Sequence, residues 1–429
     1  MKERLIGSCV IGQSGGPTAV INASTYGVVQ AALAAPEITA VLGAEYGIMG
    51  VLNDRLFDLG QEDEYELSLL MNTPASELGS CRYRLESESD LQKILETFRK
   101  YNVRYFFLNG GNDSMDTCVK IERYLLENDY ECRILGVPKT IDNDLFGTDH
   151  CPGYGSAAKY IATTCMEISK DTNVYDIGTV TVVEIMGRHA GWLAGAAALG
   201  NLFGSGPDLC YLPEVEFDLG CFLRDIKAIY DKTGKVLIAV SEGIHDSAGT
   251  FISQYAMGSG RGTQDAFGHT QLGGLAAYLA HEIKLHTDAK VRGIELSLLQ
   301  RCAGHCVSKT DLDEAYEIGG FAVQCAISGV SGKMIGIERD MSGGNYAGKM
   351  VLAPLTDVAN LEKKVPRDWI NEEGNNVNEK FFEYALPLIQ GEPKRVIEQS
   401  MPRYSKLKKV LAECSPSREI AGQLATDNR

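Results

Sequence analysis

Residues 105–144, YFFLNGGNDSMDTCVKIERYLLENDYECRILGVPKTIDND, decide the fold. The aromatic and aliphatic run 105–108 reads as a buried strand, and Asn109-Gly110-Gly111-Asn112-Asp113-Ser114 as the turn after it. A helical pattern then runs to about residue 128, with Ser114 as its N-cap, and a second apolar strand occupies 133–137. Strand, glycine turn, helix and strand make a βαβ unit, whose two strands must be parallel. The same rhythm extends in both directions. Upstream, a strand at 5–11 enters Gly12-Gln13-Ser14-Gly15-Gly16-Pro17 and a helix to about 34; a strand at 38–44 and a helix at 90–101 follow. Downstream come helix 156–171, strand 178–185, helix 192–199, strand 235–240, helix 271–286, strand 291–299, helix 311–328 and the short strand 334–338. Repetition of this kind predicts an α/β protein, with mostly parallel sheets covered by helices on both faces. In such sheets ligands bind beyond the carboxyl ends of the strands, so the informative residues are those just after each strand.

At 429 residues the chain exceeds one ordinary core, and two domains are expected. The net charge of −16 argues against a general affinity for nucleic acid or anionic membrane, since both demand a basic surface. A small phosphorylated ligand needs only a local basic pocket. No apolar stretch reaches the length of a membrane span, and the first strand is too short and glycine-broken for a signal peptide, so the cytoplasm is the expected compartment. The twelve cysteines include no CxxC pair; Cys302, His305 and Cys306 lack two further ligands at zinc spacing and read as scattered reduced thiols. Residues 366–378 are polar and turn-rich, 406–409 are basic, and the last fifteen have a frayed composition, which together suggest a C-terminal extension over the core.

Five strand-to-helix junctions carry chemistry. The glycines around Gly15 can present backbone N–H groups to phosphate, and Gly110-Gly111 can do the same beside Asn112 and Asp113, a carboxamide and a carboxylate suited to hydrated Mg²⁺. Pro138-Lys139-Thr140-Ile141-Asp142-Asn143-Asp144 supplies two carboxylates and a cation: one to accept a hydroxyl proton, one to help a metal, and a lysine to offset phosphate charge. Met186-Gly187-Arg188-His189 offers a close backbone approach and a guanidinium fork. Glu242, after the strand 235–240, joins Arg292 and Arg301 as a carboxylate among arginines, the composition a sugar phosphate needs. Taken singly, each junction also fits an ordinary structural turn.

In order along the chain, GGNDS, PKTIDND, MGRHAG, SEG and LQR resemble the phosphofructokinase family over about residues 4–340. That resemblance implies two Rossmann-like three-layer domains with the active site in the cleft between them. Residues 1–150 with about 300–345 would bind the donor, 151–299 the sugar phosphate, and 346–429 would form the extension. It implies that Asp142 takes the proton of the sugar 1-hydroxyl. Thr140, Asp142, Met186, Gly187, Arg188, Glu242, Arg292 and Arg301 would hold fructose 6-phosphate. Gly15, Gly111, Arg82 and Lys139 would hold the donor, with Asn112 on Mg²⁺ and Lys139, Asp113 and Arg188 assisting the chemistry. It also implies a homodimer or homotetramer, because some sugar-phosphate arginines of the family cross a subunit interface; Arg292 is the candidate here.

ATP-using relatives typically carry glycine at the positions of Asp113 and Lys139, and the pyrophosphate-using branch resembles this chain at both. Asp113 would set a carboxylate where a nucleotide's α-phosphate lies; two unit charges ~4 Å apart repel by about 4 kcal/mol at an effective dielectric of 20, roughly a thousandfold in affinity. Lys139 would stabilise a departing phosphate. The expected reaction is reversible, Mg²⁺-dependent transfer from pyrophosphate to fructose 6-phosphate, giving fructose 1,6-bisphosphate and phosphate; an ATP-dependent phosphofructokinase is the alternative. A non-catalytic partner subunit would be expected to lose Asp142, Arg188 or Lys139, and all are present. Where the family usually has Asp, this chain has Asn112. Tyr26 and Gln30 stand where regulated relatives carry effector-binding arginines, so the phosphate-effector site is not expected in that form.

Overall fold

The computed structural model describes residues 5–256, 273–359 and 361–413. Its larger sheet has seven strands: β1 (Gly7–Gln13), β2 (Ile38–Ala44), β3 (Leu56–Asp58), β4 (Val103–Gly110), β5 (Arg133–Pro138), β10 (Lys333–Asp340) and β11 (Ala347–Pro354). Their order is β11-β10-β5-β4-β1-β2-β3. The central strands pair in parallel, and β3 and β11 close the two edges antiparallel. The smaller sheet contains β6 (Thr179–Ile185), β7 (Leu209–Tyr211), β8 (Lys235–Ser241) and β9 (Lys290–Glu295), all parallel, in the order β7-β8-β6-β9.

Alternation along each strand explains why both faces are dry. Val10, Phe106, Leu108 and Ile134 pack on one side with Ile94, Phe98, Ile121 and Leu125; Cys9, Ile11, Tyr105, Phe107 and Leu135 pack on the other with Val28, Val29, Ile318 and Ala322. On that second face the helices Ile21–Ala34 and Lys309–Ile327 touch backbone to backbone: a β-carbon on Gly27 would sit 2.1 Å from the Tyr316 carbonyl oxygen. The smaller sheet repeats the pattern. Val183, Ile185, Leu237 and Ala239 face the helix Tyr154–Thr172 and Trp192, while Val182, Val236, Ile238 and Val240 face Phe222, Ile226, Leu279 and Ile283. No helix among the described residues is long and apolar enough to cross a membrane.

Several sequence expectations need correction. The strand expected at 291–299 ends at Glu295, because Ser297 takes a φ of +46° and the chain turns into the short 3-10 helix Ser297–Arg301. The helix expected at 192–199 is α-helical only to Ala196 and then tightens to 3-10 geometry. The helix expected to begin at 271 is observed as Leu275–His286; residues 271 and 272 lie outside the described residues. The helix Leu219–Thr233 was not expected, although Asp218 caps its start through the Cys221 N–H and Gly234 ends it in the left-handed conformation.

The region read as an extension begins as part of the fold. Residues 347–354 form β11, paired along its length with β10. The chain then crosses to the smaller sheet, where Phe381, Tyr384, Ala385 and Leu388 join the cluster around Trp192. It returns to the larger sheet, where Leu411 bridges Phe57 and the Ala412 N–H donates to the Leu56 carbonyl. The frayed composition of the last fifteen residues falls outside the described residues.

Candidate active site

The carboxyl ends of β1, β4 and β5, three neighbours in the larger sheet, meet one wall of a cleft of about 580 Å³. Beyond β1, Gly15 holds a φ of +75°, and a β-carbon there would lie 3.2 Å from the Lys139 Nζ. The Lys139 ammonium donates to the Gly16 carbonyl at 2.7 Å, and a β-carbon on Gly16 would meet the Arg301 guanidinium at 2.9 Å. The glycines thus let two cations approach the loop backbone.

Beyond β4, the helix Asn112–Glu127 starts with no side-chain cap, and Gly111 stands at its N-cap. Ser114 therefore lies inside the first turn instead of capping it. Its N–H bonds to the Gly111 carbonyl at 3.0 Å, and its side chain packs where a Gly110 β-carbon would have been. An uncapped N-terminus leaves N–H donors and the positive end of the helix dipole facing the cleft. Asp113 is exposed in that first turn. The Asn112 Oδ1 is buried without a hydrogen-bond partner among the described residues.

Beyond β5, Lys139 is 3% exposed, and its N–H donates to the Gly110 carbonyl at 3.1 Å. Burial pulls its ammonium down to about 8, against the opposing pull of Asp142 and Asp144. Asp142 follows Thr140, whose hydroxyl accepts the Asp142 N–H at 3.1 Å. The Asp142 Oδ1 has no hydrogen-bond partner among the described residues. Burial, then the charges of Asp144 and Glu242, push its carboxyl up to about 7. A carboxylate so placed is an acceptor poised near neutral pH.

The opposite wall belongs to the smaller sheet. After β6, the Met186 N–H donates to the Gln300 side chain at 3.0 Å, and Gly187, at a φ of +129°, directs its N–H to Glu242 at 3.4 Å. Met186, Arg188, His189 and Glu242 line the cleft. Burial raises the Glu242 carboxyl, and the Arg188 and Arg301 guanidiniums oppose the shift. Arg301 arrives on the short helix after β9; burial and the neighbouring Arg82 lower its affinity for its proton.

Of the residues singled out in the sequence, Gly15, Arg82, Gly111, Asn112, Asp113, Lys139, Thr140, Asp142, Met186, Arg188 and Glu242 line this one cleft. Gly187 and Arg301 lie directly behind it, bonded to Glu242 and set against Gly16 respectively. Arg292 does not reach it. It sits midway along β9, opposite Thr181, and its guanidinium donates to Asp171 at 2.9 Å. Sequence reasoning missed Ser14, Leu361 and Glu362 as lining residues. Ser14 lay within the quoted glycine loop, but nothing local marks Leu361 or Glu362, which come from the far end of the chain. Where regulated relatives carry effector-binding arginines, the Tyr26 ring lies tilted against Tyr316, centres 5.7 Å apart, and the Tyr316 hydroxyl donates to Gln30.

Comparison with known proteins follows the same lines. The family model described as phosphofructokinase matches residues 8–325. A pyrophosphate–fructose 6-phosphate 1-phosphotransferase of Halomonas elongata is 43% identical over 405 residues, covering 92% of this chain and 95% of that protein. One of Xanthomonas campestris pv. campestris is 42% identical, covering 94% and 97%. Among solved structures, the pyrophosphate-dependent phosphofructokinase of Nitrosospira multiformis superposes with a TM-score of 0.87 at 36% identity, over 96% of this chain and 99% of that one.

Proposed function

The chain belongs to the phosphofructokinase family, and on that premise we propose that it moves a phosphoryl group from pyrophosphate to the 1-hydroxyl of fructose 6-phosphate. The hydroxyl oxygen attacks one phosphorus, the bridging P–O bond breaks, phosphate departs, and the hydroxyl proton passes to Asp142. The products are fructose 1,6-bisphosphate and phosphate. Lys139 and Arg82 neutralise the departing phosphate. Thr140, Met186, Gly187, Arg188, Glu242 and Arg301 hold and orient the sugar phosphate. The larger-sheet half of the cleft takes the donor and the smaller-sheet half the sugar.

Enzymes of this family generally use a divalent metal. The residues here fit Mg²⁺: the unpartnered Asn112 Oδ1 and the Asp144 carboxyl are hard oxygen donors lining the cleft, which leaves Asp142 to take the proton. When bound, Mg²⁺ would offset charge on the phosphoryl oxygens. A cytoplasmic homo-oligomer accounts for Arg292, which would complete the sugar-phosphate site of a second copy.

The single observation that carries this reading is the buried Lys139 ammonium, held against the glycine loop and beside Asp142. It puts a cation where pyrophosphate, having no adenosine, must be gripped. The test gives purified protein fructose 6-phosphate and Mg²⁺ with either donor. Turnover with pyrophosphate and little or none with ATP is expected; a rate with ATP equal to or above that with pyrophosphate overturns the reading.

A further inference from the structure

Asp142 and Asp144 flank Asn143, a fully buried residue with a φ of +56°. Asparagine enters that left-handed conformation more readily than other non-glycine residues, and contacts from outside the turn hold it there. The restraint comes from residues more than two hundred positions downstream, and it takes hold of three consecutive positions. The Asn143 Nδ2 donates to the Tyr384 hydroxyl at 2.8 Å. The Asp144 carbonyl accepts the Lys363 N–H at 2.7 Å, and Leu145 forms a β-bridge with Glu362. The other end of the Asn143 carboxamide accepts the Cys151 N–H at 3.0 Å.

Tyr384 is itself firmly seated. Its hydroxyl donates to the Asp149 carbonyl at 2.7 Å, and its ring packs against Trp192 and Trp369 at 5.0 and 5.2 Å. The Arg339 guanidinium lies 4.7 Å from the ring centre and donates to the Tyr384 carbonyl at 3.0 Å. Arg339 also binds Asp149, which bonds His150, which bonds Glu314. The hydroxyl that meets Asn143 is therefore fixed by aromatic packing and by a buried network of charges and hydrogen bonds.

We propose that Tyr384 is a positioning residue: through Asn143 it fixes the angle at which Asp142 meets the sugar hydroxyl, and the C-terminal segment is thereby a working part of the active site. This rests on the role given to Asp142 above. Misplacement of a reacting group by about an ångström can cost on the order of a hundredfold in rate while leaving binding little changed.

Tyr384→Phe keeps the ring and removes only the hydroxyl. It is expected to lower kcat by about ten- to a hundredfold while KM for both substrates stays within about twofold. In an Asp142→Asn background the same change should leave the residual rate within about twofold, because the group being positioned is already gone. Asn143→Gly, which suits the φ of +56° and removes the other half of the contact together with the Cys151 bond, should lower kcat at least as much, should likewise be silent in the Asp142→Asn background, and should be made no worse by adding Tyr384→Phe. It decides the matter should Tyr384→Phe not fold. An unchanged kcat, or an equal loss with and without Asp142, overturns the inference and leaves Tyr384 a packing residue. A wild type inactive on fructose 6-phosphate overturns the functional reading first, an outcome seen before any variant is made.

Discussion

The two walls of the cleft differ in how much of their chemistry lies at strand ends. On the larger sheet, β1, β4 and β5 stand side by side and end together, so Gly15, Asn112 and Lys139 converge within one chain. On the smaller sheet, β6 and β8 deliver Met186, Arg188 and Glu242 in the same way, but β9 carries Arg292 at mid-strand on an edge, ion-paired with Asp171 and 35% exposed. Arg292, held by Asp171 midway along β9, does not line the cleft at that strand's carboxyl end. On the proposed assignment the donor wall draws on one copy alone, whereas the sugar-phosphate wall needs a second one if Arg292 is to take part.

The contrast can be broken most severely on the donor wall. Asp142→Asn should lower kcat by roughly 10²–10⁴-fold with little change in sugar affinity, the range for losing a positioned base. Steady-state kinetics against fructose 6-phosphate checks it; a near-normal kcat removes Asp142 from that role.

The sugar wall should respond in binding. Arg292→Ala is expected to raise KM for fructose 6-phosphate by about ten- to a hundredfold, the cost of one charge-assisted bond. Mixing Arg292→Ala with Asp142→Asn subunits should restore part of the activity if Arg292 serves another copy's cleft. No recovery despite proven subunit exchange would return Arg292 to a purely structural pair with Asp171.

A smaller effect follows from the two shifted groups on the donor wall. Asp142 accepts a proton only when ionised, so with its carboxyl at about 7, kcat/KM should fall roughly tenfold per pH unit below that value. Lys139 grips phosphate only when protonated, so with its ammonium at about 8, kcat/KM should fall again above that value. The profile of kcat/KM against pH should be a narrow bell, and Lys139→Arg should move its alkaline limb upward. A flat profile from 6 to 9 would contradict both assignments.

The smallest effect concerns Asp113. A thousandfold effect requires a close, poorly screened charge pair, but Asp113 is exposed, and solvent screens it. Asp113→Gly should therefore raise the kcat/KM ratio of ATP to pyrophosphate by about tenfold, not a thousandfold. No change in that ratio would leave donor choice to Lys139 alone.

How much was legible follows from where the signals lie. Buried parallel strands ending in glycine turns announce themselves within ten residues, so β1, β4, β5, β6 and β8 and the residues after them were readable. The three-residue β7 is too short for any periodicity, and β11 pairs antiparallel with β10 through partners that only the fold supplies. The helix Leu219–Thr233 went unread although Asp218 and Gly234 mark both termini with local capping chemistry. Leu361, Glu362 and Tyr384 were not readable, because what places them near Asp142–Leu145 is a bridge and hydrogen bonds spanning more than two hundred residues.

The most direct measurement is phosphorus NMR of the reaction run backwards. Protein, Mg²⁺, fructose 1,6-bisphosphate and phosphate are mixed without any nucleotide, and the spectrum is followed to equilibrium. The growth of a pyrophosphate resonance as the 1-phosphate of the sugar declines is the expected result. No pyrophosphate under those conditions, with sugar dephosphorylation appearing only once ADP is added, would contradict the account at its centre.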